Sequence, residues 1–112
     1  MDNTRLKQLQ SLLEEDPGSS FIQFAIAKEY EKYEQWPEAR MAYETLTQDA
    51  PDYVGTYYHL GKTLEQLEGK TAAVPVYEQG MQVARQQADM HAFGELQRAL
   101  LSAQGLDYED EV

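Results

Sequence analysis

Residues 20–53, SFIQFAIAKEYEKYEQWPEARMAYETLTQDAPDY, are followed directly by a segment of equal length, residues 54–87, VGTYYHLGKTLEQLEGKTAAVPVYEQGMQVARQQ, that repeats their pattern. At this offset of 34 residues, eight positions are identical: Lys28/Lys62, Glu31/Glu65, Glu34/Glu68, Ala39/Ala73, Tyr43/Tyr77, Glu44/Glu78, Gln48/Gln82 and Ala50/Ala84. Chance would produce roughly two identities, and a period of about 34 residues is typical of stacked helical hairpins. A single hairpin cannot bury its apolar face alone, so the repeat predicts an array in which neighbouring hairpins cover each other.

The composition narrows the classes of function. The 112 residues suit one domain or a short repeat array, and the formal net charge of -11 comes from 20 acidic and 9 basic residues. This balance argues against binding to nucleic acid or to an anionic membrane surface, since both require clustered positive charge. The acidic surface favours solubility, and it also fits a protein from a high-salt cytoplasm.

Cysteine is absent from the sequence, which excludes disulfides, thiolate catalysis and thiolate metal ligands. The N-terminal stretch MDNTRLKQLQ lacks the apolar run of a signal peptide. No segment approaches the roughly 18 apolar residues that a membrane-spanning helix needs. We therefore expect a soluble, cytoplasmic protein without a membrane partner.

Apolar spacing and capping residues predict where the helices begin and end. Residues 4–16 carry leucines at helical spacing and are followed by a Pro-Gly pair that ends the helix. Ser19 or Ser20 is the predicted N-cap of the next helix, which extends to about Gln35. Another helix is predicted to begin at Trp36, because the proline and glutamate that follow it suit a first helical turn.

The second segment follows the same course and then the period fails. Gly69 marks the turn between its helices, and residues 71–84 are the predicted second helix. Pro75 is awkward in that helix, because it would be safer two residues earlier in the first turn. Asp89 is the predicted N-cap of a last helix, and Gly105 stands where that helix would stop. The apolar stripe of this last helix consists of Met90, Phe93, Leu96, Leu100 and Leu101.

The two segments resemble the tetratricopeptide repeat, a helix–turn–helix unit of about 34 residues with a W-x2-L-G-x2-Y signature in its first helix. The signature positions are Gln23, Ile26, Ala27 and Tyr30 in the first copy, and Tyr57, Leu60, Gly61 and Leu64 in the second. The characteristic second-helix positions are Ala39, Tyr43 and Leu46, then Ala73, Tyr77 and Gly80, and Pro51 is the closing proline of the first copy. Leu46 departs from the small residue expected there, and Arg85 departs from the second closing proline.

This resemblance implies an all-α fold: a helix-turn-helix repeat array, or TPR-like α-solenoid, of about six helices. It divides the chain into an N-terminal half repeat at residues 1–19, a first repeat at 20–53, a second repeat at 54–87, a C-terminal capping helix at 88–105 and an acidic tail at 106–112 that we expect to be disordered. The signature residues have packing roles. Small side chains let paired helices approach, and Tyr43 and Tyr77 are expected to fill the gap to the next hairpin.

In this family the first helices of successive repeats line a concave groove. The resemblance places the following residues in a peptide-binding groove: Phe21, Phe24, Lys28, Glu31, Lys32, Gly55, Tyr58, Lys62, Glu65 and Gln66, with His59 at its border. Phe24 and Tyr58 occupy equivalent positions, so we expect them to form an aromatic strip. Lys28 and Lys62 are expected to bind an acidic group beside that strip. The alternative, which is favoured for Lys32, is that the lysines only pair with glutamates at helical spacing.

Residue patterns for catalysis or metal binding are missing. His59 and His91 have no neighbour at a metal-ligand spacing such as H-E-x-x-H. The sequence also lacks a glycine-rich phosphate loop and a G-x-S-x-G elbow. We therefore expect no enzyme activity, no cofactor and no metal site. Trp36, at the turn between helices, is expected to cover the end of its hairpin, and a role in partner binding stays open.

The sequence therefore predicts a non-catalytic protein–protein interaction module, a small adaptor that binds a peptide segment of another protein in the concave groove. The alternative is a self-associating assembly module, in which a homodimer completes the short array. A monomer is favoured, with the leucines of the first helix docked on the first repeat of the same chain. Neither hypothesis identifies the partner protein.

Overall fold

The computed structural model describes residues 3–106, and within that range the chain is helical and contains no strand. Six α-helices follow one another in order: α1 (Thr4–Glu15), α2 (Ser20–Lys32), α3 (Trp36–Asp49), α4 (Gly55–Glu68), α5 (Val74–Gln86) and α6 (Met90–Ala103). A short 3-10 helix, Lys70–Ala73, precedes α5. The predicted fold class, an all-α repeat array of about six helices, is therefore confirmed.

The helices pack in chain order, because each hairpin needs its neighbours to cover its apolar face. Each helix contacts the helices before and after it. In addition, α2 contacts α4 and α4 contacts α6, so these three helices lie side by side along one face of the molecule. Within the described residues, α1 contacts α2 alone among the helices, as suits an end element. The resulting molecule is elongated, with principal extents of 48 × 33 × 20 Å.

Three helices begin at a polar residue whose side chain accepts a hydrogen bond from the first helical turn. Ser19 Oγ accepts from the N–H of Ile22 at 3.2 Å, so Ser19 rather than Ser20 is the N-cap of α2. Asp89 Oδ1 accepts from the N–H of Ala92 at 3.0 Å, as predicted for the last helix. Asn3 caps α1 in the same way, which the sequence analysis did not anticipate.

The end of α2 lies at Lys32, three residues before the predicted position near Gln35. The chain turns there because Glu34 takes a left-handed conformation, with φ 57°. The N–H of Glu34 donates to the carbonyl of Glu31, and the N–H of Gln35 donates to the carbonyl of Tyr30, both at 2.9 Å. These two bonds satisfy carbonyls that the helix end would otherwise leave unpaired.

The start of α5 differs from the prediction of a helix from residue 71. Residues 70–73 form a 3-10 turn instead, and α5 begins at Val74 with Pro75 in its first turn. The N–H of Val74 donates to the carbonyl of Thr71, an i to i−3 bond that closes the 3-10 turn. Proline has no N–H to continue an α-helical ladder from residue 71, so the α-helix begins where that missing donor costs nothing.

The core is formed by residues that match between the two repeats. Tyr43 and Tyr77 are both fully buried. A Cβ on Gly61 would lie 2.1 Å from Cε1 of Tyr77, and a Cβ on Gly80 would lie 2.5 Å from Cβ of Tyr57. Real side chains cannot approach so closely, so these two glycines allow α4 and α5 to pack directly on each other's aromatic rings.

The last helix, α6, packs mainly against α5. Leu96 is fully buried there, and Phe93 and Leu100 are half-buried against the same core. The helix ends before Gly105, which has φ 76°. Of the predicted acidic tail at 106–112, Leu106 is exposed, and residues 107–112 lie outside the described part of the chain. Among the helices described, none has the length and apolar character needed to cross a membrane.

Candidate functional site

The shared face of α2 and α4 carries one pair of an aromatic ring and a lysine on each helix. On α2, Nζ of Lys28 lies 5.6 Å from the centroid of the Phe24 ring. On α4, Nζ of Lys62 lies 5.5 Å from the centroid of the Tyr58 ring. Both distances are in the range of cation–π attraction, which keeps a lysine over the face of a ring. The predicted aromatic and basic residues therefore form two equivalent ring–cation pairs, one on each helix.

His59 lies between these two pairs. Its ring makes edge contacts with Phe24 at 5.4 Å and with Tyr58 at 5.5 Å, and it stacks on Tyr43 at 6.0 Å, all measured between ring centroids. His59, predicted at the border of the groove, thus joins Phe24 and Tyr58 into the predicted aromatic strip. Spacing along the chain could not show this, because the contact depends on how far α2 and α4 are rotated relative to each other.

The two glutamates predicted in the groove, Glu31 and Glu65, accept hydrogen bonds from buried tyrosines. The hydroxyl of Tyr43 donates to Oε1 of Glu31 at 2.6 Å, and the hydroxyl of Tyr77 donates to Oε2 of Glu65 at 2.6 Å. Glu31 Oε1 also lies 3.1 Å from Nδ1 of His59. The sequence did carry a signal for these bonds, because both tyrosines and both glutamates are among the positions that repeat at the 34-residue offset.

The protonation of these groups follows from their surroundings. Burial raises the pKa of the Tyr43 and Tyr77 hydroxyls, and the adjacent Glu31 and Glu65 carboxylates raise it further. Burial alone would raise the pKa of Glu31, but the hydrogen bonds from His59 and Tyr43, together with the charges of His59 and Lys28, outweigh it and hold that pKa below its usual value. At neutral pH the tyrosines therefore donate, and Glu31 accepts as a carboxylate.

A pocket of about 610 Å³ opens beside α2. It is lined by Arg5, Phe21, Phe24, Ala25, Lys28, Glu29, Glu31, Lys32, Trp36 and His59. Six of the eleven groove residues predicted from the sequence are among these, and the other five lie on the neighbouring α4: Gly55, Tyr58, Lys62, Glu65 and Gln66.

Four pocket residues, Arg5, Ala25, Glu29 and Trp36, are not among the site residues predicted from the sequence. Glu29 is buried and forms an ion pair with Arg5, whose Nε lies 3.5 Å from Oε2 of the glutamate. This pair joins α1 to α2. Trp36, the first residue of α3, is half-buried and contributes to the wall of the pocket.

The lysines differ in how they are paired. Nζ of Lys62 lies 3.9 Å from Oε2 of Glu65, so the helical-spacing alternative describes that residue in part. Lys28 and Lys32 are exposed, and within the described residues neither has a carboxylate oxygen inside 4.0 Å. Nζ of Lys32 lies instead 5.5 Å from the centroid of the Tyr33 ring. These two lysines make no close ion pair, although the charge of Lys28 contributes to the lowered pKa of Glu31.

Residues 3–106 contain no group of three or more His, Asp or Glu side chains arranged to hold a metal ion. His91 is exposed on α6, far along the chain from His59.

No protein-family model matches the chain, and no curated protein matches it at a significant level. Solved structures do match. The solution NMR structure of a tetratricopeptide repeat domain protein from Salinibacter ruber is 43% identical with a TM-score of 0.75, and the match covers 81% of this chain and 92% of that one. A crystal structure of a tetratricopeptide repeat domain protein from the same organism is 42% identical with a TM-score of 0.73, and the match covers 79% of this chain and 99% of that one.

The solution structure of a Bordetella parapertussis protein is 23% identical with a TM-score of 0.80, covering 99% of this chain and 96% of that one, and this likeness bears on the fold alone. The Salinibacter ruber domains are matched over nearly their whole length at more than 40% identity. Their similarity, together with the stacked hairpins and the residues that repeat at a 34-residue offset, shows that the chain belongs to the tetratricopeptide repeat family.

Proposed function

We propose that the chain binds a peptide segment of a partner protein on the shared face of α2 and α4. Membership of the family supports a protein-interaction module in general, and this fold is typically a non-catalytic scaffold. The proposal assigns the interaction to the face that the family uses as its concave groove. Its contact residues are Phe21, Phe24, Lys28, Glu31, Lys32, Tyr58, His59, Lys62 and Glu65.

The observation that carries the proposal is the outward presentation of rings and cations on this face. Phe21 is 72% exposed, although a phenylalanine in a monomer is normally buried. The lysine–ring pairs at Phe24 and Tyr58 repeat from one helix to the next. Aromatic side chains supply much of the affinity at protein interfaces, and the cations beside them suit a ligand that carries an acidic group.

The test begins with peptides selected by display against the immobilised chain. A selected peptide is then titrated into the isotopically labelled protein, and backbone amide shifts are expected to change along α2 and α4. The double substitution Lys28→Glu and Lys62→Glu is expected to abolish binding while leaving the melting temperature within about two degrees, because surface charges contribute little to stability.

Lys70→Glu is the matched control, since Lys70 is an exposed lysine on the 3-10 helix before α5. It makes one lysine-to-glutamate change away from the proposed site, half the charge change of the double variant, and is expected to bind like the unsubstituted chain. Binding of the selected peptide by the Lys28/Lys62 double variant with unchanged affinity would show that the site lies elsewhere on the molecule.

Self-association is a second candidate, favoured by one feature of a different surface, which shares no lining residue with the pocket beside α2. A groove of about 590 Å³ lies between α1 and α3, and it is lined by Leu13, Gln23, Ile26, Tyr30, Pro37, Glu38, Met41, Ala42 and Thr45. Met41 in this groove is 70% exposed. A second copy of the chain could cover this surface in a two-fold dimer. Sedimentation equilibrium at micromolar concentration distinguishes a monomer from a dimer. We expect a monomer. A dimer that dissociates when Met41 is changed to glutamate would instead support self-association.

A further inference from the structure

The proposed face contains carboxylates as well as cations, but the carboxylates on α2 already bind other side chains of the protein. Glu29 is buried and paired with Arg5. Glu31 accepts a hydrogen bond from Tyr43 and lies in hydrogen-bond contact with His59. The cations on the same helix, Lys28 and Lys32, have no such partner among the described residues. The pocket lining holds three cations, Arg5, Lys28 and Lys32, against two carboxylates, Glu29 and Glu31, so its formal charge is +1 (3 − 2), although the whole chain carries a net charge of -11.

The Phe24 ring and the two lysines of α2 also stand in one row. Phe24, Lys28 and Lys32 follow one another at intervals of four residues on α2, and all three line the same pocket. Side chains at i and i+4 lie on one face of a helix, one turn apart. With a rise of about 1.5 Å per residue, the lysines therefore stand about 6 and 12 Å along the helix from the ring.

An extended peptide has a matching spacing. Its residues advance about 3.3 Å each, and every second side chain points to the same side. An apolar residue seated at Phe24 would therefore bring the side chains two and four residues away, at about 7 and 13 Å, opposite the two lysines. An acidic side chain at each of these positions would meet a lysine that has no carboxylate oxygen within 4.0 Å among the described residues.

On the basis of the proposed function, we infer that α2 selects an extended peptide segment of the partner. In this segment an apolar anchor residue is followed, at two-residue intervals, by two acidic residues. The anchor occupies the pocket walled by Phe21, Phe24 and Trp36. The acidic residues contact Lys28 and Lys32. The selection is for the position of the acidic residues and not only for their number.

The experiment compares three short probes by NMR titration of the full chain. The in-register probe is Ac-Trp-Ser-Glu-Ser-Glu-NH2. It is also tested with its residues in the reversed order, and the comparison determines the direction in which the ligand lies along α2. The second probe, Ac-Trp-Glu-Ser-Glu-Ser-NH2, has the same composition with its acidic side chains on the opposite side. The third, Ac-Trp-Ser-Gln-Ser-Gln-NH2, removes the charge and keeps the shape.

The in-register probe, in its better-binding order, is expected to bind about three- to tenfold more tightly than either control probe, as two exposed ion pairs would allow. The double variant Lys28→Gln and Lys32→Gln is expected to bind all three probes alike, with shifts still mapping to the pocket. Lys70→Gln is the control variant and is expected to keep the full preference, because Lys70 lies outside the pocket. Both lysines of the row are exposed, so neither substitution threatens the fold.

The outcomes separate this inference from the proposed function. Equal binding of the two acidic probes, or of the acidic and amide probes, would overturn the selection while leaving peptide binding on this face intact. The selection is also wrong if no probe binds and a display-selected peptide still maps to α2 and α4. If the selected peptide maps to another surface, the proposed function and the inference fail together.

Discussion

Tyr43 and Tyr77 make the same hydrogen bond in each repeat, from a fully buried ring to a carboxylate on the preceding helix. A buried hydroxyl without a partner would cost free energy, so each glutamate satisfies a group that packing has removed from water. Each glutamate stays partly exposed on the proposed face, since the side chains of Glu31 and Glu65 are 22% and 14% exposed. Each tyrosine–glutamate pair thus stabilises its hairpin and engages one carboxylate oxygen of the glutamate.

This arrangement predicts how the tyrosines affect stability and its pH dependence. Tyr43→Phe and Tyr77→Phe should each lower the free energy of unfolding at pH 7 by about 1.5–3 kcal/mol, the usual contribution of a hydrogen bond to a charged group. Because the folded pKa of each hydroxyl is raised, the unfolded state loses its proton first, and stability falls as the pH rises above about 10. The phenylalanine variants should show a smaller alkaline loss.

Urea unfolding at pH 7 and at pH 11 measures both effects. Tyr33→Phe serves as the control, because Tyr33 is exposed at the end of α2 and its substitution should change neither quantity by more than a few tenths of a kcal/mol. An alkaline loss that is the same in the Tyr43 and Tyr77 variants as in the unsubstituted chain would contradict the pKa argument.

At the scale of the helices, the position of α5 against α4 depends on the absence of a side chain at Gly61. The ring of Tyr77 occupies the space in which a Cβ would stand. Gly94, in the middle of α6, has a different environment, since a Cβ there would lie no closer than 3.6 Å to its nearest neighbour, the end of the Arg98 side chain. Substitution by alanine is therefore expected to change the free energy of unfolding in opposite directions at these two glycines.

Gly61→Ala should lower the free energy of unfolding by about 1–3 kcal/mol, because the Tyr77 ring and the helix behind it must move. Gly94→Ala should raise it by about 0.5–1 kcal/mol, since alanine loses less backbone entropy than glycine in a helix. Thermal and urea unfolding of the two variants measure this difference. A Gly61 variant as stable as the unsubstituted chain would show that α4 and α5 can separate without cost.

At the scale of the molecule, the net charge of -11 is spread over a thin, elongated array. Like charges repel within the folded chain more than in the expanded unfolded chain, so the native state carries a self-repulsion that salt screens. The ion pairs seen among residues 3–106 are mostly exposed, and they contribute little in the opposite direction.

Raising sodium chloride from about 10 mM to about 500 mM should therefore increase the melting temperature by several degrees, because the Debye length falls well below the size of the molecule. Differential scanning calorimetry measures the change. Potassium chloride is the control, as screening depends on ionic strength and should act equally with either cation. A melting temperature that falls with salt would mean that local ion pairs dominate the electrostatic stability.

The sequence determined the helices, their pairing into hairpins and the family, because these follow from regularities along the chain. The apolar positions recur at helical spacing, and the whole pattern recurs after 34 residues. The N-cap of the last helix at Asp89 was predictable for the same reason, since capping involves residues only three positions apart. The six-helix array needed no information beyond such local and periodic signals.

The tertiary structure alone decided which side chains of neighbouring helices meet. His59 lies between Phe24 and Tyr58, and Glu31 is bonded inward, because of how α2, α3 and α4 are rotated against one another. The pocket wall supplied by Arg5 and Trp36 likewise depends on where α1 and α3 lie beside α2. Such contacts change with a few ångströms of shift or a small rotation between helices, and residue spacing within one helix does not specify either quantity.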